Sequence, residues 1–263
     1  MNDTSILTKI DPRGIATLTM NRPEIHNAFD DTLIVALTQE LKRLEADASV
    51  RVLVLRASGK SFSAGADLGW MRRMADYSRE ENLADALALA SLMQTLNTLK
   101  KPTVALVQGA AYGGGVGLVA CCDIALANRR ATFCLSEVKL GLIPAVISPY
   151  VVEAIGARAA RRYFQSAEVF DAAEAHRLGL VHEVVAAEDL EGAKERLVGA
   201  LLNNGPCAMA AAKALVARVC SGPIDESMIR DTAGRIAGTR ASAEGKDGLS
   251  AFLEKRKPMW VKG

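Results

Sequence analysis

Two periods of apolar residues organise the chain. Residues 5–10 (SILTKI) and 15–20 (IATLTM) are short strand-like runs, and the DPRG between them carries the proline and glycine of a tight turn, so the chain opens with a hairpin. Leu33, Leu37, Leu41 and Leu44 then recur at helical spacing behind Asp30 and Asp31, which suit a helix N-terminus. Residues 52–55 read as a strand, and 58–69 (SGKSFSAGADLG) as a small-residue loop closing on a helix start at Leu68. A long helix is predicted over about residues 80–99, ended by Lys101-Pro102 before a buried strand at 102–107 (PTVALV). Residues 116–122 read as a small-residue helix, and 123–127 and 132–135 as further strands. From Ser148 the pattern is helical apart from a strand at 180–185, and beyond Asp189 four helices are broken at Gly205-Pro206, Gly222-Pro223 and near Ala241. Alternating strands and helices predict an α/β fold. No fixed-period repeat, low-complexity tract or linker divides the sequence.

Composition narrows the class. With 263 residues, half of them hydrophobic, the chain can bury a large core as one domain with or without an appendage. The formal net charge is +2, and the arginine pairs 72–73, 129–130 and 161–162 are scattered among acids, so no nucleic-acid footprint is expected. Cys121, Cys122, Cys134, Cys207 and Cys220 show no CxxC spacing and read as thiols of a reducing compartment. The N-terminus lacks a basic start followed by an apolar segment, and no apolar run approaches a membrane span. A soluble cytoplasmic protein with no membrane contact is the expectation. His26, His176 and His182 lie far apart with no HExxH or nucleophile-elbow context, so neither a metal site nor a triad is expected.

Three stretches carry candidate chemistry. In residues 108–123 (QGAAYGGGVGLVACCD) a glycine triplet stands between a strand and a helix start, where the backbone can turn sharply and the first helical N–H groups are unpaired. Close packing of the helix start against a strand is the other reading of such glycines. The loop FSAGAD, residues 62–67, likewise follows a strand and leads into a helix, so Ala66 offers a backbone N–H beside a groove. Two such donors aimed at one carbonyl oxygen form an oxyanion hole. Glu137, within FCLSEVKLGLIP, lies among apolar residues, where burial raises a carboxyl pKa towards neutral and suits it to proton transfer.

Seven segments in order, NRPEIHNAF, FSAGADL, GAAYGGGVGL, CDIALA, FCLSEVKLGLIP, GLVHEVV and GLSAFLEKRKP, resemble the crotonase (enoyl-CoA hydratase/isomerase) superfamily over essentially the whole chain. The resemblance implies a ClpP-like spiral of ββα units over residues 1–200, a C-terminal helical trimerisation region over 201–263, and a homo-hexamer built as a dimer of trimers. It implies an acyl-CoA thioester substrate, with no cofactor beyond that substrate's own CoA. Carried over by position, the backbone N–H groups of Ala66 and Gly114 would hold the thioester oxygen, and Glu137 matches the family's second catalytic glutamate. The CoA and acyl chain would run along His26, Ala64, Ala66, Asp67, Leu68, Tyr112, Gly113, Gly114 and Gly117.

One position departs from the common pattern. Gly117 stands where hydratases of this family usually carry their first catalytic glutamate, and a glycine there is expected to leave a void that admits a larger, branched acyl group. Hydration conventionally uses two carboxylates, whereas moving a double bond needs a single base, so Gly117 alone favours an isomerase. The string AVISPYV, residues 145–151, is instead similar to bacterial hydratases of branched glutaconyl-CoA esters such as 3-methylglutaconyl-CoA or isohexenylglutaconyl-CoA, a subgroup that shares the glycine. Hydratase is the leading expectation and Δ3-Δ2 enoyl-CoA isomerase the alternative. Arg72, Arg73 and Lys139 are candidates to meet a distal substrate carboxylate. Trp70, Met71 and Met74 suit core or acyl pocket equally, and 255–257 (KRK) reads as a solvated basic helix end. Two further readings stay open. Gly115 to Ala120 satisfies GxGxxA with Glu137 as a ribose-binding acid, and the fold could serve as a binding scaffold without activity.

Overall fold

The computed structural model describes residues 5–261. Strands β1 (Ile6–Ile10) and β2 (Ile15–Met20) form the expected hairpin, paired antiparallel from Ile6↔Met20 to Ile10↔Ala16. Helix α1 (Asp31–Ala46) begins where Asp30 Oδ1 accepts the Leu33 N–H at 2.8 Å, a cap worth about 1 kcal/mol. Leu33, Leu37, Leu41 and Leu44 all lie on its buried stripe. Strand β3 (Val52–Ala57) leads through the 58–67 loop to α2 (Leu68–Ala75) and then α3 (Arg79–Asn97), whose start is a capping box between Ser78 and Glu81.

The centre of the chain follows as β4 (Thr103–Val107), β5 (Ala111–Tyr112), α4 (Gly114–Cys121), β6 (Ile124–Asn128) and β7 (Thr132–Cys134). A 3-10 turn, Glu137–Leu140, precedes α5 (Ser148–Ser166), β8 (Phe170–Asp171), α6 (Ala172–Leu178) and β9 (Glu183–Val185). The chain closes with α7 (Leu190–Leu202), α8 (Pro206–Cys220), α9 (Glu226–Ala241) and α10 (Ala243–Leu253).

Six strands form one sheet in the order β1-β2-β3-β4-β6-β9, parallel from β2 onward, and β5-β7-β8 form a smaller one. The period of two along a strand explains why β3 reads as continuous apolar sequence. Leu53 and Leu55 face the main core under α1, α3 and α4, while Val52 and Val54 face a second cluster capped by Leu190, Ala193 and Val198 of α7. The mixed α/β expectation holds. Among the described residues no helix is long and apolar enough to cross a membrane.

Candidate active site

Backbone pairing brings the two glycine-bearing loops together. Ser63 bridges to Ala111 in parallel register, with the Ser63 N–H donating to the Ala110 carbonyl at 3.0 Å and the Tyr112 N–H to the Ser63 carbonyl at 2.9 Å. The 58–67 loop thus continues beside β5, and Gly65 lies against the start of α4. A Cβ built on Gly65 would meet the Tyr112 carbonyl oxygen at 3.3 Å, and one on Gly113 would meet the Gly65 Cα at 3.8 Å. Both glycines have positive φ, +91° and +50°, so their absent side chains permit the turn and the close approach together.

Hydrogen bonds on either side of Ala66 fix how its peptide points. Phe29 N–H donates to the Gly65 carbonyl and Asp67 N–H to the Phe29 carbonyl, both at 2.7 Å. In a trans peptide the N–H points opposite to the preceding carbonyl, so the Ala66 N–H is turned away from Phe29. Gly114 obeys the same rule at the first position of α4. The Gly113 carbonyl accepts the Val116 N–H at 2.9 Å and the Gly117 N–H at 3.3 Å, which turns the Gly114 N–H outward past the helix end. Neither the Ala66 nor the Gly114 N–H has a partner among the described residues, and both residues are at least partly open to solvent. The Phe29 ring stands 3.5 Å from where a Gly114 Cβ would be, so Phe29 meets the Ala66 segment with its backbone and the start of α4 with its ring.

Glu137 opens the 3-10 turn directly beyond this pair. Its Oε1 lies 3.2 Å from the place of a Gly113 Cβ, and its Oε2 is buried without a hydrogen-bond partner. Burial pushes the carboxyl pKa above the ordinary glutamate range, because the charged form loses more hydration than the protein returns. Ala66, Gly113, Gly114 and Glu137, scattered over seventy positions, therefore meet at one place. A bound carbonyl could accept from two backbone donors there while a half-buried carboxyl exchanges a proton beside it.

Several expected contacts take another form. Gly113 has no free donor, since its N–H is bonded to the Cys134 carbonyl at 2.9 Å; its contribution is the turn and the room it leaves for Glu137. Asp67 is engaged within the chain, capping α2 through Oδ1 and the Trp70 N–H at 2.9 Å. The Tyr112 hydroxyl lies 3.5 Å from Thr132 Oγ1. Ala64 and Leu68 are exposed, and His26, also exposed, has its Nδ1 3.1 Å from Ser61 Oγ. Arg73 is taken by Asp31 at 2.6 Å, and Arg72 and Lys139 are exposed. Trp70 is core, its Nε1 donating to Asp85 Oδ1 at 3.0 Å, and Arg256 pairs with Asp247 at 2.8 Å.

Gly117 requires the largest correction. It lines no void, because a Cβ there would fall within 3 Å of Ile147 and at 3.2 Å from Met93 Cε, and Ile147 is itself only 2% exposed. The space of the missing carboxylate is filled by the isoleucine just before α5, thirty residues away, which the sequence motif could not announce. The dinucleotide reading fails on the same observations. Gly115 packs on Ser63, whose Cβ lies 2.9 Å from the place of its own, so these glycines serve protein packing. Asn27 and Gln108, which no sequence pattern marks out, are amides bonded to carbonyls of the loop before FSAGAD.

The chain matches the family described as enoyl-CoA hydratase/isomerase over residues 11–263. It is 32% identical over 249 residues to the crotonyl-CoA hydratase of Syntrophomonas wolfei, covering 94% of each chain. Among solved structures, an enoyl-CoA hydratase from Shewanella pealeana superposes with a TM-score of 0.95 at 49% identity, covering 97% of this chain and 96% of that one. Pseudomonas aeruginosa AtuE superposes at 0.93 with 38% identity, covering 98% of this chain and 100% of its own.

Proposed function

The chain belongs to the enoyl-CoA hydratase/isomerase family, the crotonase superfamily, and from that premise we propose that it adds water across the 2,3 double bond of a branched, glutaconyl-type acyl-CoA such as 3-methylglutaconyl-CoA. The observation that carries the reading is Glu137, a half-buried carboxyl with one buried, unpaired oxygen, standing beside two unpaired backbone donors. Ala66 and Gly114 N–H would hold the thioester oxygen and draw electron density from the conjugated double bond, making carbon 3 electrophilic. Removing one donor of this kind slows related chemistry about 10²–10³-fold. Water then bonds to carbon 3 as the π electrons move onto the thioester oxygen. With Ile147 in the place beside Gly117, we assign both proton transfers to Glu137: its carboxylate takes a proton from the attacking water and the carboxyl returns it to carbon 2. The balance is one water added and Glu137 unchanged. No cofactor enters beyond the CoA of the substrate.

The branched acyl group rests on the likeness of AVISPYV to glutaconyl-CoA hydratases and no longer on room beside Gly117. The resemblance also supports a homo-hexamer, a dimer of trimers joined through residues 201–263, and the five cysteines without CxxC spacing support a reducing, cytoplasmic location. A Δ3-Δ2 isomerase remains the second reading, because a single carboxyl, with Ile147 filling the place beside Gly117, suffices to carry a proton between carbons 2 and 4. Both readings are tested by giving the purified protein 3-methylglutaconyl-CoA, crotonyl-CoA and a 3-enoyl-CoA in 18O-labelled water. Loss of the conjugated absorbance with 18O in a 3-hydroxy product, fastest for the branched ester, is the expected result. Gain of conjugation without label from the 3-enoyl ester, and no hydration of either conjugated ester, would replace the hydratase with the isomerase.

A further inference from the structure

We infer that Asn27 is a positioning residue for the Ala66 amide, gripping together with Gln108 the loop that carries it; the inference rests on the reading of Ala66 as an oxyanion donor. Asn27 is fully buried, at 0% exposure. Its Nδ2 donates to the Ser58 and Ser61 carbonyls, each at 2.9 Å, and its Oδ1 accepts the Arg22 N–H at 2.8 Å. Both side-chain N–H groups are therefore spent on one loop while the acceptor ties that loop to the turn before Asn27. From the other side Gln108 Nε2 donates to the Ala57, Gly59 and Ser61 carbonyls at 3.0, 3.2 and 2.9 Å. The Ser61 carbonyl is thus held between two side-chain amides.

The grip extends to Ala66 through a short chain of bonds. The Asn27 main-chain carbonyl accepts the Ser63 hydroxyl at 2.9 Å, and Ser63 Oγ accepts the Gly65 N–H at 3.3 Å. Gly65 supplies the carbonyl of the Ala66 peptide plane, and that carbonyl is pinned by the Phe29 N–H, two residues from Asn27. The direction of the Ala66 N–H is thus set by the main chain at Asn27, through Ser63, and by Phe29, while the Asn27 side chain fixes the 58–61 segment of the same loop against that main chain. The residue type follows from the backbone. Asn27 sits at φ +53°, a left-handed conformation that asparagine tolerates better than most side chains, and a side chain one methylene longer could not meet the same carbonyls from that Cα. Asn27 itself has no surface open to a ligand. Its effect on catalysis is the aim of a donor, and a donor misplaced by about 1 Å can lower the rate about 10²-fold.

The decisive variant is Asn27→Gly, which keeps the positive φ without strain and deletes only the side-chain bonds. Its readouts are kcat, KM, and the absorbance band of bound 4-(dimethylamino)cinnamoyl-CoA, a conjugated thioester that reddens when its carbonyl accepts hydrogen bonds. The expected result is kcat lowered by about 10- to 100-fold, KM changed by less than about threefold, and a diminished red shift in a variant whose circular dichroism is native. Ser63→Ala, which cuts one link of the same chain, is expected to move kcat and the red shift in the same direction by a smaller factor, and keeps the test open where Asn27→Gly does not fold. A folded Asn27→Gly or Ser63→Ala with full kcat and full red shift would overturn the assignment. A wild-type protein that hydrates its substrate without reddening the probe would instead overturn the oxyanion reading of Ala66, on which the assignment stands.

Discussion

Glu137 holds its carboxyl under conditions that oppose its charge. Folding removes water from it and leaves Oε2 unpaired, so the folded state binds the proton more tightly than the unfolded chain does. The sign of the linkage follows. Below the unfolded glutamate pKa, about 4.3, both states are protonated and no stability is lost at this residue. As pH rises through the raised folded pKa, the native state must ionise a buried group and stability falls. Glu137→Gln removes that titration while keeping shape, so its melting temperature is expected to match wild type near pH 4, to exceed it increasingly as pH rises from there, and to keep a constant margin once the folded carboxyl has ionised. Its kcat is expected to fall by about 10² to 10⁴ with CoA-ester binding retained. Scanning calorimetry across pH together with steady-state assays checks both, and a variant keeping more than half the activity would remove Glu137 from the reaction. This residue was legible in the sequence because an acid inside an apolar stretch is conspicuous. Asn27 and Ile147 were not, because their partners lie about thirty positions away and an asparagine near a proline, or an isoleucine before a helix, has an ordinary local explanation.

Among the elements, those whose signals are local were readable. The hairpin turn, the leucine stripe of α1 and the proline-marked breaks before α8 and between α8 and α9 sit where the sequence places them. Strands β5 and β8 have two residues each and carry no periodicity; they exist because β7, distant in sequence from each, offers them backbone partners. The packing of α4 on α5 is equally non-local, and it yields a sharp prediction. A methyl group on Gly117 would collide with Ile147, so Gly117→Ala is expected to destabilise the protein by about 1–3 kcal/mol. Ile147→Ala removes the colliding Cγ2 but leaves a cavity in the parent, costing about 2–5 kcal/mol alone. In the double variant the added methyl occupies part of that cavity, so the combined loss should be less than the sum of the two. Additive losses in urea unfolding would mean that the helices slide apart to relieve the contact. The same geometry explains why restoring a glutamate at position 117 without trimming Ile147 is expected to yield an unstable protein.

At the scale of the whole molecule, the C-terminal helices are out of proportion to the core they cover. Within α8, α9 and α10 the fully buried apolar side chains are Met228 and Ala251, whereas Ile224 between α8 and α9 is 88% exposed and Phe252 and Leu253 at the end of α10 are 83% and 77% exposed. Apolar surface of that kind on an otherwise charged protein marks an interface. The sequence showed helices here, but which of their faces would lack a partner depends on the packing of a single chain, and periodicity alone could not decide it. If α8–α10 join subunits, as the family resemblance implies, charge placed at their apolar end should undo the assembly while sparing the site, since Ala66, Gly114 and Glu137 all belong to elements preceding α7. Phe252→Glu with Leu253→Glu is therefore expected to shift the mass measured by light scattering from a hexamer to trimers or single chains, with native circular dichroism. An unchanged hexamer would show that these side chains lie outside the contact. The variant also separates two roles for assembly: if isolated chains lose affinity for CoA yet keep the red shift of a bound chromophoric enoyl thioester, the neighbouring subunit completes the CoA site and leaves the donors untouched.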